Sequence, residues 1–126
     1  MRLILDAGAF IALGRDDRAI WRRLKAARRT GQLPVTHGGV VGQVWRGGGA
    51  RQALLARALN GIDVRALDEQ LGRRSGALLA RTGTSDVIDA ALVLLAEDTD
   101  HIATSDLSDL RVLAEAAARH VELIPV

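Results

Sequence analysis

Short aliphatic runs ending on polar residues alternate along this chain with longer stretches of helical periodicity, and the alternation limits its possible folds more than any other feature. Arg2 to Leu5 reads as a short buried strand that stops at Asp6-Ala7-Gly8, followed by a short helix from about Ala9 to Leu13. Asp16 or Asp17 can cap a second helix running to about Thr30. Ala19, Ile20, Leu24 and Ala27 form its apolar stripe, and Gly31 ends it. Leu33 to Val35 is a candidate second strand, and Thr36 a candidate cap for a helix carrying Val40, Val41, Val44 and Trp45. Gly47-Gly48-Gly49 breaks the chain before a helix from Ala50 to Leu59, and Ile62 to Leu67 includes a short strand. Asp68 caps a helix to about Thr82, and Thr84, Ser85 or Asp86 caps another ending near Glu97. His101 to Thr104 is a strand, Leu107 to Arg119 a helix and Val121 to Val126 a last strand. Strands alternating with helices imply an α/β fold: a mostly parallel central sheet with helices on both faces.

The 126 residues suffice for one domain, spanning 1–126, and not for two independent cores. Hydrophobic residues make up 48% and are nearly all aliphatic, since Phe10, Trp21 and Trp45 are the only aromatics. The absence of cysteine excludes disulfides and thiolate metal sites. The first apolar run meets Asp6 at once, unlike a signal peptide, and no apolar run reaches the roughly 18 residues that a bilayer requires. A cytoplasmic protein with no membrane partner is the expectation. The net charge of +2 conceals a split: residues 1–85 carry 15 basic against 6 acidic side chains, and residues 86–126 carry 2 against 9. A polyanion partner for the basic part explains this, and so does an arginine-rich coding bias.

Asp6 and Asp106 each fall just past the carboxyl end of an expected strand, the edge at which open parallel sheets bind ligands. Asp86 and Asp89 open a helix that is otherwise apolar nearly all round, and their spacing of three puts both on one side of its first turn. Asp106 and Asp109 repeat that spacing at the next helix. No Lys or Arg lies between Arg81 and Arg111 to compensate these charges, so a metal cation is the simplest partner. With oxygen ligands alone it would be magnesium or manganese. Capping explains each Asp-x-x-Asp pair as well, most readily for Asp89 and Asp109. Asp6, after a strand, has no evident structural role. His37, His101 and His120 are scattered and read as surface or strand-end residues, which leaves no zinc site.

Four segments together resemble the PIN-domain family, most closely the VapC-type toxins of bacterial toxin–antitoxin pairs: Leu3–Leu13, Val40–Gly48, Thr84–Ala96 and Ile102–Leu110. Their order covers essentially the whole chain. The resemblance implies a metal-dependent endoribonuclease that hydrolyses RNA phosphodiesters with a metal-activated water. Asp6, Asp86 and Asp106 match the family's acids, which are both its catalytic residues and its metal ligands. Thr104 or Ser105 matches a small hydroxyl residue often found beside the last acid. Gln43 stands where the family usually has a Glu, a departure that removes one charge; Asp89 is positioned to replace it, with Asp109 nearby.

The resemblance also implies a small antitoxin protein lying in a helical groove, which Trp21 and Trp45 can line, and allows a homodimer. Arg22, Arg23, Arg46 and Arg51 are candidates for tracking an RNA backbone, although a solvated helix face explains any one of them. Because of Gln43, a PIN-like module that binds RNA or protein but cuts weakly is the alternative. A phosphoryl-transfer domain of receiver or phosphatase type fits less well. Ala7-Gly8 follow Asp6 where a second acid is needed, and the single lysine, Lys25, lies on a helix face.

Overall fold

The structure is a computed structural model that describes all 126 residues. Its elements are β1 (Leu3–Leu5), α1 (Ala7–Gly14), α2 (Arg18–Arg29), β2 (Val35–His37), α3 (Gly38–Val44) and α4 (Ala50–Leu59), then β3 (Asp63–Arg65), α5 (Glu69–Thr82), α6 (Val87–Leu95), β4 (His101–Thr104), α7 (Leu107–Ala116) and β5 (Glu122–Pro125). The strands form one sheet in the order β3-β2-β1-β4-β5, and every pairing is parallel. The fold is therefore α/β, as the alternation of elements predicts.

Alternate residues of a strand point to opposite faces, yet Leu3, Ile4 and Leu5 of the central strand are all buried. Both faces of the sheet are thus covered at its centre, the arrangement that parallel sheets require. The core gathers around Ile4, Leu5, Phe10, Leu13, Leu92, Ile102 and Leu110. It is almost entirely aliphatic, as the composition demands.

No helix is long and apolar enough to cross a membrane. The sheet is tied to the helices beneath it by Arg2 and Asp100. The Asp100 carboxylate accepts from the Arg2 backbone N–H at 2.7 Å, from its guanidinium at 3.0 and 3.2 Å, and from the Glu97 N–H at 2.8 Å. Asp100 is 2% exposed, and this full set of partners is what a buried carboxylate needs.

Several element boundaries differ from expectation. The second strand is Val35–His37 rather than Leu33–Val35. Polar Thr36 and His37 look like the start of a helix, but the fold satisfies both internally: the Thr36 hydroxyl donates to the Leu5 carbonyl at 2.8 Å. His37, not Thr36, caps α3, its Nδ1 accepting from the Gly39 N–H at 3.0 Å. His37 does end a strand but is fully buried, whereas His120 is exposed and His101 pairs with Glu122 at 3.0 Å. Helix α1 begins at Ala7 rather than Ala9, α6 stops at Leu95 and α7 at Ala116, where Ala118 turns the chain with a positive φ of 53°. The glycine triplet breaks the chain as predicted, all three residues having φ between 62° and 85°.

Candidate functional site

From β1 the chain builds the sheet outward through β2 and β3, then returns to the other side of β1 with β4 and β5. Strand order therefore reverses between β1 and β4, and the crevice at their carboxyl ends is the usual ligand site of such sheets. Asp6 follows β1 directly, and its N–H donates to the carbonyl of Ala103 in β4 at 3.2 Å. Asp106 lies two residues past β4. Its N–H donates to the Thr104 hydroxyl at 2.8 Å, a local turn that swings the chain out of the sheet and into α7.

Three helices start at this crevice, each behind an aspartate. Asp6 caps α1, its Oδ1 accepting from the Ala9 N–H at 2.9 Å. Asp86 caps α6, its Oδ1 accepting from the Asp89 N–H at 3.0 Å. Asp106 precedes α7 but makes no capping bond through its side chain. The structural roles are thus redistributed relative to expectation. Asp6 does have one, because α1 begins immediately after it, and the capping box expected of Asp106 with Asp109 is absent. The helix N-termini supply positive potential that partly offsets the gathered carboxylates.

Three of the acids share one mouth, and Asp6 and Asp106 lie outside its lining. Asp86, Asp89 and Asp109 line a cavity of about 290 Å³ together with Thr84 and Ser85. Partial burial and the charges of Asp86, Asp106, Asp6 and Asp109 push the Asp89 carboxyl up to about 7. Asp106 is likewise raised above the ordinary carboxylate range, by desolvation and by the neighbouring carboxyls of Asp109 and Asp6. None of the five takes part in an ion pair, in contrast to Asp100 with Arg2.

No three acidic or histidine side chains are closed into a ligand cage. Carboxylates without a cation repel, and an open arrangement relieves that repulsion. The donor set still suits a hard divalent cation: every candidate ligand is an oxygen, the charge is uncompensated, and Asp6 and Asp86 use only one carboxylate oxygen each in capping.

Thr104 is fully buried behind Asp106, and Ser105 is exposed against the first turn of α1. Gln43 is exposed and does not line the acidic cavity. It lies one turn beyond Gly39, which abuts the Ile88 side chain, so it is on the side of α3 that turns toward the start of α6. The four arginine candidates do not form one patch. Arg22 lines a cleft between α2 and α4, Arg23 faces the other side with Met1 and Leu3, and Arg51 lines a groove against α1. Arg46 spends its guanidinium on the carbonyls of Gly42 and Trp45. Trp45 is 41% exposed, while Trp21 is partly buried against the core.

Two residues that position the site were not evident from sequence. The His37 ring bridges α3 and α6, Nδ1 accepting from Gly39 and Nε2 donating to the Ile88 carbonyl at 2.9 Å. Burial lowers its pKa and keeps the ring neutral, as that pair of bonds requires. Gly8 admits Ser105: a Cβ there would lie 2.6 Å from the Ser105 Cβ and 3.0 Å from its backbone N. Gly8→Ala is expected to push the β4–α7 turn away from α1 at a cost of about 1–3 kcal/mol. A thermal melt reads the loss, and an unchanged melting temperature would show that the turn yields freely.

No family model, curated protein or solved structure matches the chain.

Proposed function

We propose that this chain is a divalent-metal-dependent endoribonuclease, acting in the cytoplasm as the toxin of a VapBC-like toxin–antitoxin pair. The observation that carries the enzymatic part is the gathering of Asp6, Asp86, Asp89, Asp106 and Asp109 at the sheet's switch point with no cationic side chain among them. The toxin role, the antitoxin partner and a possible homodimer are supported by the resemblance of the four segments alone.

Asp6, Asp86 and Asp106 would hold magnesium or manganese, with Asp89 supplying the charge that Gln43 lacks. When bound, such an ion supplies Lewis acidity, acidifying a water and offsetting charge on phosphoryl oxygens. The chain supplies the positioning. The caps of α1 and α6 fix Asp6 and Asp86, the Thr104 turn aims Asp106 and the His37 bridge holds the first turn of α6 against α3.

The second reading is a binding module that cuts weakly. It is favoured by the position of Gln43, exposed and outside the acidic cavity. Incubating the chain with structured and unstructured RNA at saturating manganese, with and without EDTA, separates the two. Cleavage that EDTA stops is the expected result. No cleavage of any RNA at saturating manganese leaves the binding module.

A further inference from the structure

Helix α2 carries Arg18, Trp21, Arg22 and Lys25 at spacings of three and four, so all four lie on one face. Opposite them stand Leu54 and Arg57 of α4, and together with Asp16 these residues line a cleft of about 340 Å³. Four cations meet one acid there. None of the four takes part in an ion pair within the chain. Like charges gathered in a cleft raise its potential and attract a polyanion.

The cleft is also held ready. The Trp21 indole N–H donates to the Leu13 carbonyl at 3.1 Å, which fixes the ring at the end of α1. The Arg57 guanidinium carbon sits 5.6 Å from the centre of that ring. A guanidinium already held over a ring loses less freedom on binding an anion than a free side chain does.

We infer that this α2/α4 cleft binds the phosphate backbone of RNA, holding the substrate away from the cutting site. The inference rests on the proposed ribonuclease activity for the identity of the polyanion, and it names where that substrate is held. Arg18 and Lys25 are seven residues apart, about 10 Å along the helix, so the cations span more than a single phosphate. Apolar lining is confined to Leu54 and to Trp21, whose face Arg57 covers. A protein partner would bury apolar anchors at the centre of its interface, and this cleft offers almost none.

The cleft and the acids lie toward opposite ends of α1. Asp6 caps one end of α1 and Trp21 is bonded near the other, a separation of about 10 Å for seven residues of helix. A separate groove, on α1 and α4, is lined by Arg15 and Arg51.

The test is binding of fluorescein-labelled oligouridine to the full-length chain in EDTA, across a salt series. The variants are Arg22→Ala/Arg57→Ala and, on the exposed helix face alone, Arg18→Gln/Lys25→Gln. Each pair is expected to weaken binding at least tenfold and to reduce the slope of log affinity against log salt by roughly 0.7 for each cation removed. Unchanged affinity and slope in both folded variants would overturn the inference. Uridine monophosphate displacing the oligomer as well as unlabelled oligouridine does would make the site a mononucleotide pocket, and polyglutamate doing so would make it an acidic-peptide site; either overturns it. A wild-type chain that binds through the cleft yet cuts nothing in manganese would sink the ribonuclease proposal and leave this one standing.

Discussion

Asp6→Asn is expected to abolish RNA cleavage while leaving the chain folded. Asparagine caps a helix about as well as aspartate, so the bond to the Ala9 N–H and the start of α1 should survive. What disappears is one negative charge at the crevice between β1 and β4. Losing a group that merely orients a metal ligand costs roughly 10- to 100-fold, and losing a ligand should cost at least the upper end of that range. The measurement is cleavage at saturating manganese beside a circular dichroism melt of the same preparation. Asp106→Asn should behave alike, since asparagine is as good as aspartate at the start of a helix. Normal cleavage by either folded variant would remove that residue from the site and reduce Asp6 to a cap.

Asp89→Asn is expected to move stability and activity in opposite directions. The Asp89 carboxyl titrates at about 7 in the folded chain, against 3.8 ordinarily. Between these values the folded state keeps a proton that the unfolded state has released. Stability therefore falls as pH rises from about 4 to about 7, and the full cost is present above that window. Without metal at pH 8, Asp89→Asn should melt higher than the wild type, and it should lack the wild type's decline across the window. Magnesium should raise the wild-type melting temperature most at the alkaline end, where the carboxylates are ionised and repel, because a ligand of the folded state stabilises it by mass action. The variant should gain less from magnesium and cut more slowly. Thermal scans from pH 4 to 8, with magnesium and with EDTA, read all of this. Superimposable curves for the two proteins would show that the acids do not act on one another.

Opposed signs matter because a plain structural role predicts only one. A lost cap lowers stability by about 1 kcal/mol and leaves chemistry intact. A carboxylate held among like charges does the reverse, giving up stability for function. Asp100 marks the contrast within the same molecule. It is the more buried of the two, yet the Arg2 guanidinium and two backbone N–H groups satisfy it, whereas Asp89 faces four other acids.

Local rules made much of this protein legible in its sequence. Short aliphatic runs and period-3.6 patterns, with Gly31 and the glycine triplet as breaks, marked the strands and helices and hence the α/β class. Asp6 and Asp106 were recognisable because each follows an aliphatic strand, and Asp86 because it opens an apolar helix. The resemblance to PIN-domain proteins drew on the same segments. What depended on contacts between distant parts of the chain was not legible. The sheet order β3-β2-β1-β4-β5, which sets Asp6 beside the end of β4, follows from packing both faces of β1 and not from any local signal. His37 reads as a polar strand end until the Ile88 carbonyl, 51 positions away, supplies its partner. Gly8 looks like an ordinary break until Ser105 presses against it, and the arginines of α2 look like a solvated face until Arg57 closes over Trp21. Pattern along the chain encodes which face of an element is apolar; only the folded chain decides which faces meet, and with them which charges are left without a partner.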